Sequence, residues 1–126
     1  MIVLDSSALL AVILNEKGAD RVKAAFPQSV ISAASLAEIL TKAVQRGFDL
    51  YGAHAAISGF GLDVRPVEEE HALLAAHIFW RAPRELDLSL GDRLCIALAI
   101  TLQCELLTSD GGILRYDAGV PIANFR

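Results

Sequence analysis

The sequence predicts an α/β sandwich whose strands run mainly parallel, on three observations. Short apolar runs rich in β-branched residues recur along the chain, segments with helical apolar spacing separate them, and acidic residues stand where several runs end. Each helical segment supplies the crossover that parallel pairing requires, and the right-handed rule for such crossovers leaves few topologies. At 126 residues the chain suits one domain, 1–126, because two halves would each approach the marginal size.

Ile2 to Leu4 is a continuous apolar run closed by Asp5-Ser6-Ser7, which reads as a buried strand passing into a helix. That helix carries Ala8 to Leu14, and Asp20 to Phe26 makes a second one stopped by Pro27. Ser29 to Ser32 is the second strand. From Ala33 to about Arg46, Leu36, Ile39, Leu40, Ala43 and Val44 recur at spacings of three and four, the clearest amphipathic helix in the chain. Leu50 to Phe60 is a further helix, Leu62 to Val67 an alternating strand interrupted at Pro66, and Glu68 to Trp80 a helix again. Ser89 caps a strongly apolar helix running to Leu102, whose all-round apolarity predicts burial. Glu105 to Thr108 is the fourth strand, Gly111 to Tyr116 a turn or short helix, and Val120 to Phe125 a terminal strand.

Composition narrows the function. Hydrophobic residues make up 54% of the chain, yet the run from Leu94 to Leu107 is broken by Thr101, Gln103 and Glu105 and is too short for a membrane span. The opening residues lack a basic region and meet Asp5 early, so no export signal is expected and the cytoplasm is the expected location. Cys95 and Cys104 have no zinc or redox spacing and are expected to be reduced and structural. His54, His71 and His77 share no spacing that suggests a metal site or an acid–base pair. The net charge of −4 has the wrong sign for broad nucleic-acid binding, so any such contact is local or bridged by cations.

The acids carry the chemistry, and each has a plain structural reading beside a functional one. Asp5 can be a helix cap, Asp92 the back-reaching acid of a capping box with Ser89, and Asp110 a turn residue before Gly111-Gly112. Glu38 points off the apolar stripe toward solvent or a cleft, and can pair with Lys42 one turn on. In an open parallel sheet, however, ligands gather outside the carboxyl ends of the strands, and three of these acids lie at such junctions. Carboxylates packed there repel one another unless cations compensate, and hard oxygen donors select magnesium or manganese. Such an ion activates water and stabilises charge on a phosphodiester, which reconciles an acidic protein with an anionic substrate.

Four motifs stand in order: Met1-Ile2-Val3-Leu4-Asp5-Ser6-Ser7-Ala8-Leu9-Leu10, Ser35-Leu36-Ala37-Glu38-Ile39, Ser89-Leu90-Gly91-Asp92-Arg93 and Leu106-Leu107-Thr108-Ser109-Asp110. In them the chain resembles, over essentially its whole length, the PIN-domain nucleases, and among these the VapC-type toxins of bacterial toxin–antitoxin pairs. The resemblance implies an α/β/α sandwich around a five-stranded parallel sheet, a homodimer, Mg2+ or Mn2+ as cofactor, and endonucleolytic cleavage of RNA leaving a 5′-phosphate. It implies that Asp5, Glu38, Asp92 and Asp110 form the catalytic centre. Asp5, Asp92 and Asp110 would be the metal ligands, and Ser6 or Ser7, with Thr108, would orient carboxylates through their hydroxyls. It also implies a small cognate antitoxin that wraps the helical surface and blocks the acidic pocket, sometimes with an inserted arginine. One departure follows Asp110, where close relatives often continue Arg-Ala-Trp and this chain has Gly111-Gly112-Ile113.

Other residues are weaker candidates. Arg93, Lys42 and Arg46 could reach phosphates, although scattered basic residues are normally just solvated. Phe79 and Trp80 are expected in the core, with a partner anchor as the alternative. The rival functions are a housekeeping RNA-processing nuclease, a magnesium-binding receiver module and a catalytically silent binding subunit. A receiver needs an acceptor Asp ending its middle strand and a late Lys, whereas no Lys follows Lys42. Retention of all four acids argues against silence.

Overall fold

The computed structural model describes every residue, Met1–Arg126. Five strands, β1 (Ile2–Leu4), β2 (Ser29–Ser32), β3 (Asp63–Arg65), β4 (Glu105–Thr108) and β5 (Ile122–Asn124), form one sheet in the order β3-β2-β1-β4-β5. All four pairings are parallel, with Val3 opposite Val30 on one side and Leu106 on the other. β1 is therefore central, and the order reverses on either side of it, which is where an open parallel sheet opens a crevice.

Helices cover both faces. On one lie α1 (Ser6–Ile13), α2 (Ala19–Ala25), α3 (Ala33–Gln45) and α4 (Leu50–Ser58), packing Leu9, Val22, Ile39 and Ile57 against Leu4, Ile31 and Leu107. On the other lie α5 (Glu69–Arg81), α6 (Leu90–Leu102) and α7 (Gly111–Leu114), packing Ile78, Ile96 and Ile113 against Val3, Val30 and Leu106. Successive strand residues thus feed opposite cores, which is why β1, β2 and β4 read as continuous apolar runs rather than as alternation. Leu94 to Ala99 of α6 are all buried, as the apolarity of that helix requires. Cys95 and Cys104 are free thiols. No helix is long and apolar enough to cross a membrane.

The edges differ from expectation. β3 is three residues long instead of Leu62 to Val67, and it does not alternate: Asp63 and Val64 are exposed. It is an edge strand paired on one side only, and Pro66 cannot extend its ladder. β5, the other edge, spans 122–124 instead of 120–125. α1 begins at Ser6, two residues early, because Asp5 already caps it. α4 stops at Ser58 and α7 at Leu114, both shorter than expected. Phe79 and Trp80, expected in the core, are 58% and 76% exposed, since His71, Ala75 and Ile78 are the residues α5 turns inward.

Candidate functional site

Asp5 ends β1 and caps α1, and it is 3% exposed. Its Oδ1 accepts the Ser7 hydroxyl at 2.6 Å and the Ala8 amide at 3.1 Å, and its Oδ2 accepts the Thr108 hydroxyl at 2.5 Å. The same two hydroxyl oxygens accept from the next loop: Ser7 Oγ takes the Ser109 amide at 3.1 Å, and Thr108 Oγ1 takes the Asp110 amide at 2.9 Å. Both hydroxyl protons are engaged by Asp5, so the 3.4 Å approach of Ser7 Oγ to Thr108 Oγ1 is a contact without a proton to share. The network joins the end of β1 to the end of β4 and sets Asp110 beside Asp5. Ser7 and Thr108 thus hold the positions expected of carboxylate-orienting hydroxyls.

Asp92 and Asp110 both do the structural work that is the bland alternative for them. Ser89 and Asp92 form a reciprocal capping box on α6, Asp92 Oδ2 accepting the Ser89 amide at 2.9 Å and Ser89 Oγ the Asp92 amide at 3.1 Å. Asp110 Oδ1 accepts the Ile113 amide at 2.9 Å and caps α7. Each cap uses one oxygen, which leaves Asp92 Oδ1 and Asp110 Oδ2 without a protein donor, and Asp5 Oδ2 with room for one more partner. Glu38, on α3, is half-buried beside the Ser6 hydroxyl; it makes no ion pair with Lys42, the two salt bridges lying at Arg65–Asp63 and Arg126–Glu16.

Three of the carboxylates respond to their surroundings. Burial lifts the Asp5 carboxyl from 3.8 to about 6, against the downward pull of its three hydrogen bonds, and the Asp92 charge adds to the rise. Burial also raises Glu38, with Asp92 and Asp110 pushing the same way while Lys42 and the Ser6 hydroxyl oppose them. Asp92 is raised by burial and by Asp110, its cap bonds with Ser89 working against them. Asp5, Glu38, Asp92 and Asp110 therefore lie along the same carboxyl edge of the sheet, linked in charge through Asp92. Ser6 serves Glu38 and Ser7 serves Asp5, a division the residues alone left open.

The donor set fits a hard divalent cation in kind: carboxylate oxygens with lone pairs to spare, and one orphan beside them. That orphan is Ser35 Oγ, 1% exposed, one turn before Glu38, and the single buried side-chain oxygen or nitrogen without a partner. It adjoins Cys95, whose thiol burial pushes well above its usual range, helped by the charges of Asp5, Asp92 and Glu38. In spacing, no three carboxylates stand close enough to enclose an ion, and no surface cavity is lined by them. The expected common pocket is instead an open edge of mutually repelling groups, which have to draw together around a cation.

The sequence profile of the PIN domain matches residues 2–119. The chain belongs to the PIN domain family. This is a family of nucleases. Among solved structures, a chain of the DNA-bound VapBC complex from Salmonella typhimurium superposes with a TM-score of 0.76 at 16% identity, covering 99% of this chain and 98% of that one. A chain of a toxin–antitoxin complex from Klebsiella pneumoniae gives 0.76 at 16% identity, covering 100% and 98%. A FitAcB chain from Neisseria gonorrhoeae gives 0.72 at 20% identity, covering 99% and 98%. At these identities the likeness is one of fold, and the fold is that of this PIN domain from end to end. No curated protein matches the chain in sequence.

Two residues that sequence reasoning passed over lie in the same place. Ser35 was legible only as part of a motif, because a serine among alanines on a helix carries no signal of its own. Gly91 packs against the Glu38 carboxylate, and its signal was a glycine inside an otherwise strong helix.

Proposed function

We propose that this PIN domain, taken as one nuclease unit over 1–126, is a Mg2+- or Mn2+-dependent endoribonuclease and the toxin of a toxin–antitoxin pair in the cytoplasm. The observation that carries the reading is the alignment of Asp5, Glu38, Asp92 and Asp110, from four separate elements, along one edge of the sheet, each with an oxygen left for a ligand. Asp5 Oδ2, Asp92 Oδ1 and Asp110 Oδ2 are the atoms that would hold the cation. A bound Mg2+ or Mn2+ supplies Lewis acidity toward the phosphodiester and makes water a stronger nucleophile. Ser7 and Thr108 hold Asp5 ionisable and oriented, and the two caps fix the rotamers of Asp92 and Asp110. Glu38, half-buried and with its carboxyl raised above the usual range, is suited to accept the proton of an attacking water. One divalent ion brings the formal charge of −4 to −2 and two bring it to zero, so RNA binding at this edge depends on metal.

Support for a protein partner comes from exposed apolar surface. Leu73, Phe79 and Trp80 stand out from α5, and a groove lined by Ile13, Phe48, Ala53, Ala56 and Phe60 opens on the opposite face. An antitoxin and a second copy of the chain are the two proteins expected there. Purified protein incubated with RNA and Mg2+ or Mn2+ is expected to cleave internally and to leave 5′-phosphates. EDTA and Asp5→Asn are each expected to abolish cleavage, and cleavage that survives both would defeat the reading. Expression is expected to arrest growth, relieved by the product of a short adjacent reading frame; cleavage without arrest would favour a housekeeping nuclease.

A further inference from the structure

Gly91 is the second residue of α6, between Leu90 and Asp92. Its backbone is helical, with no positive φ to call for glycine, and glycine inside a helix is less favourable than alanine. The reason for it lies across the interface with α3. A Cβ at this position would fall onto the Glu38 carboxylate, whose Cδ, Oε1 and Oε2 are the three nearest atoms it would meet. The Ser6 hydroxyl favours the Glu38 carboxylate from α1 and Lys42 attracts it from one turn on, while Asp92 and Asp110 repel it. The gap above Gly91 is thus what admits the carboxylate to a place its acidic neighbours oppose.

We propose that Gly91 is a positioning residue: the notch left by its missing side chain seats the Glu38 carboxylate beside Asp92. The inference rests on reading the four acids as a nuclease centre. It predicts that Gly91→Ala expels Glu38 toward Lys42 and solvent, while the helix gains from alanine.

The test is a cycle of Gly91→Ala, Glu38→Gln and the double variant in the full chain, with three readouts. Without metal, Gly91→Ala is expected to melt at or a few degrees above the wild type. Mn2+ affinity and kcat for RNA are each expected to fall about tenfold or more, as when a group that orients a ligand is lost, with KM little changed. In the Glu38→Gln background the glycine substitution is expected to change neither. Wild-type Mn2+ binding and cleavage by Gly91→Ala would overturn the proposal, as would an equal loss in the Glu38→Gln background or a large fall in melting temperature. A crystal structure of Gly91→Ala separates the two levels. If the wild type neither binds Mn2+ nor cuts RNA, the nuclease reading fails, whereas a Glu38 carboxylate that keeps its place over an alanine sinks the notch.

Discussion

Asp5 is held under opposing demands: burial disfavours its charge, and two hydroxyls and an amide favour it. Burial wins, which has a consequence for stability. Below pH 3.8 the group is protonated in both folded and unfolded chains; between 3.8 and about 6 the unfolded chain releases a proton that the folded chain keeps. Stability of the metal-free protein therefore falls as pH rises through that window, by about 3 kcal/mol, and levels off above it. Urea unfolding in EDTA at pH 4 and pH 7 measures this directly, and Asp5→Asn should lack this component. A metal-free stability that instead rises over the window would contradict the account of Asp5. Thr108→Val removes the donor to Asp5 and the acceptor of the Asp110 amide together. It is expected to cost about 1–3 kcal/mol and to weaken Mn2+ binding, read by denaturant midpoint and by titration. The adjacent glycines behave differently from one another. A Cβ at Gly112 would strike the backbone carbonyl of Leu86, which cannot swing aside, whereas nothing stands near Gly111. Gly112→Ala is therefore expected to lower the melting temperature and Gly111→Ala to leave it unchanged or raise it. The Gly111-Gly112 departure from the family's usual continuation thus reflects, at its second position, the closeness of the Arg84–Leu86 turn.

At the scale of elements, the helix starts of this protein are also the parts of its candidate centre. Capping and ligation were weighed in the sequence as competing readings of Asp5, Asp92 and Asp110, and the geometry makes them compatible. A carboxylate has two oxygens, and a cap occupies only part of one of them. The capping box at Ser89 was legible because its spacing of three residues is itself the signal, and Ser89→Ala is expected to cost about 1 kcal/mol. The same change should lower cleavage more than stability accounts for, since it frees the rotamer of Asp92; parallel melting and kinetic measurements separate the two. The interior elements were readable for a related reason. β1, β2 and β4 are covered on both faces, so burial shows as unbroken apolar runs. β3 and β5 lie at the edges, where pairing from one side alone and a nearby proline decide their length, and apolar content does not. Phe79 and Trp80 were misplaced because α5 is apolar on more than one side, and only packing against α6 reveals that His71, Ala75 and Ile78 are the inward residues.

Across the whole molecule, a central β1 flanked by β2 and β4 collects acids from residues 5, 38, 92 and 110 at one edge. Order and spacing of the motifs made that convergence legible, because a parallel sheet places every strand end and following helix start on the same side. What the sequence could not reveal is that no three of the carboxylates close around an ion, or that Gly91 and Ser35 share their surroundings. Both depend on side-chain positions across helix interfaces. The central claim is that this edge draws together around a divalent cation. Soaking crystals of the wild-type protein in Mn2+ and measuring anomalous scattering tests it most directly. The account predicts a peak bounded by Asp5, Asp92 and Asp110, absent from Asp5→Asn crystals, whereas no peak at that edge, or one that survives the substitution, would contradict it.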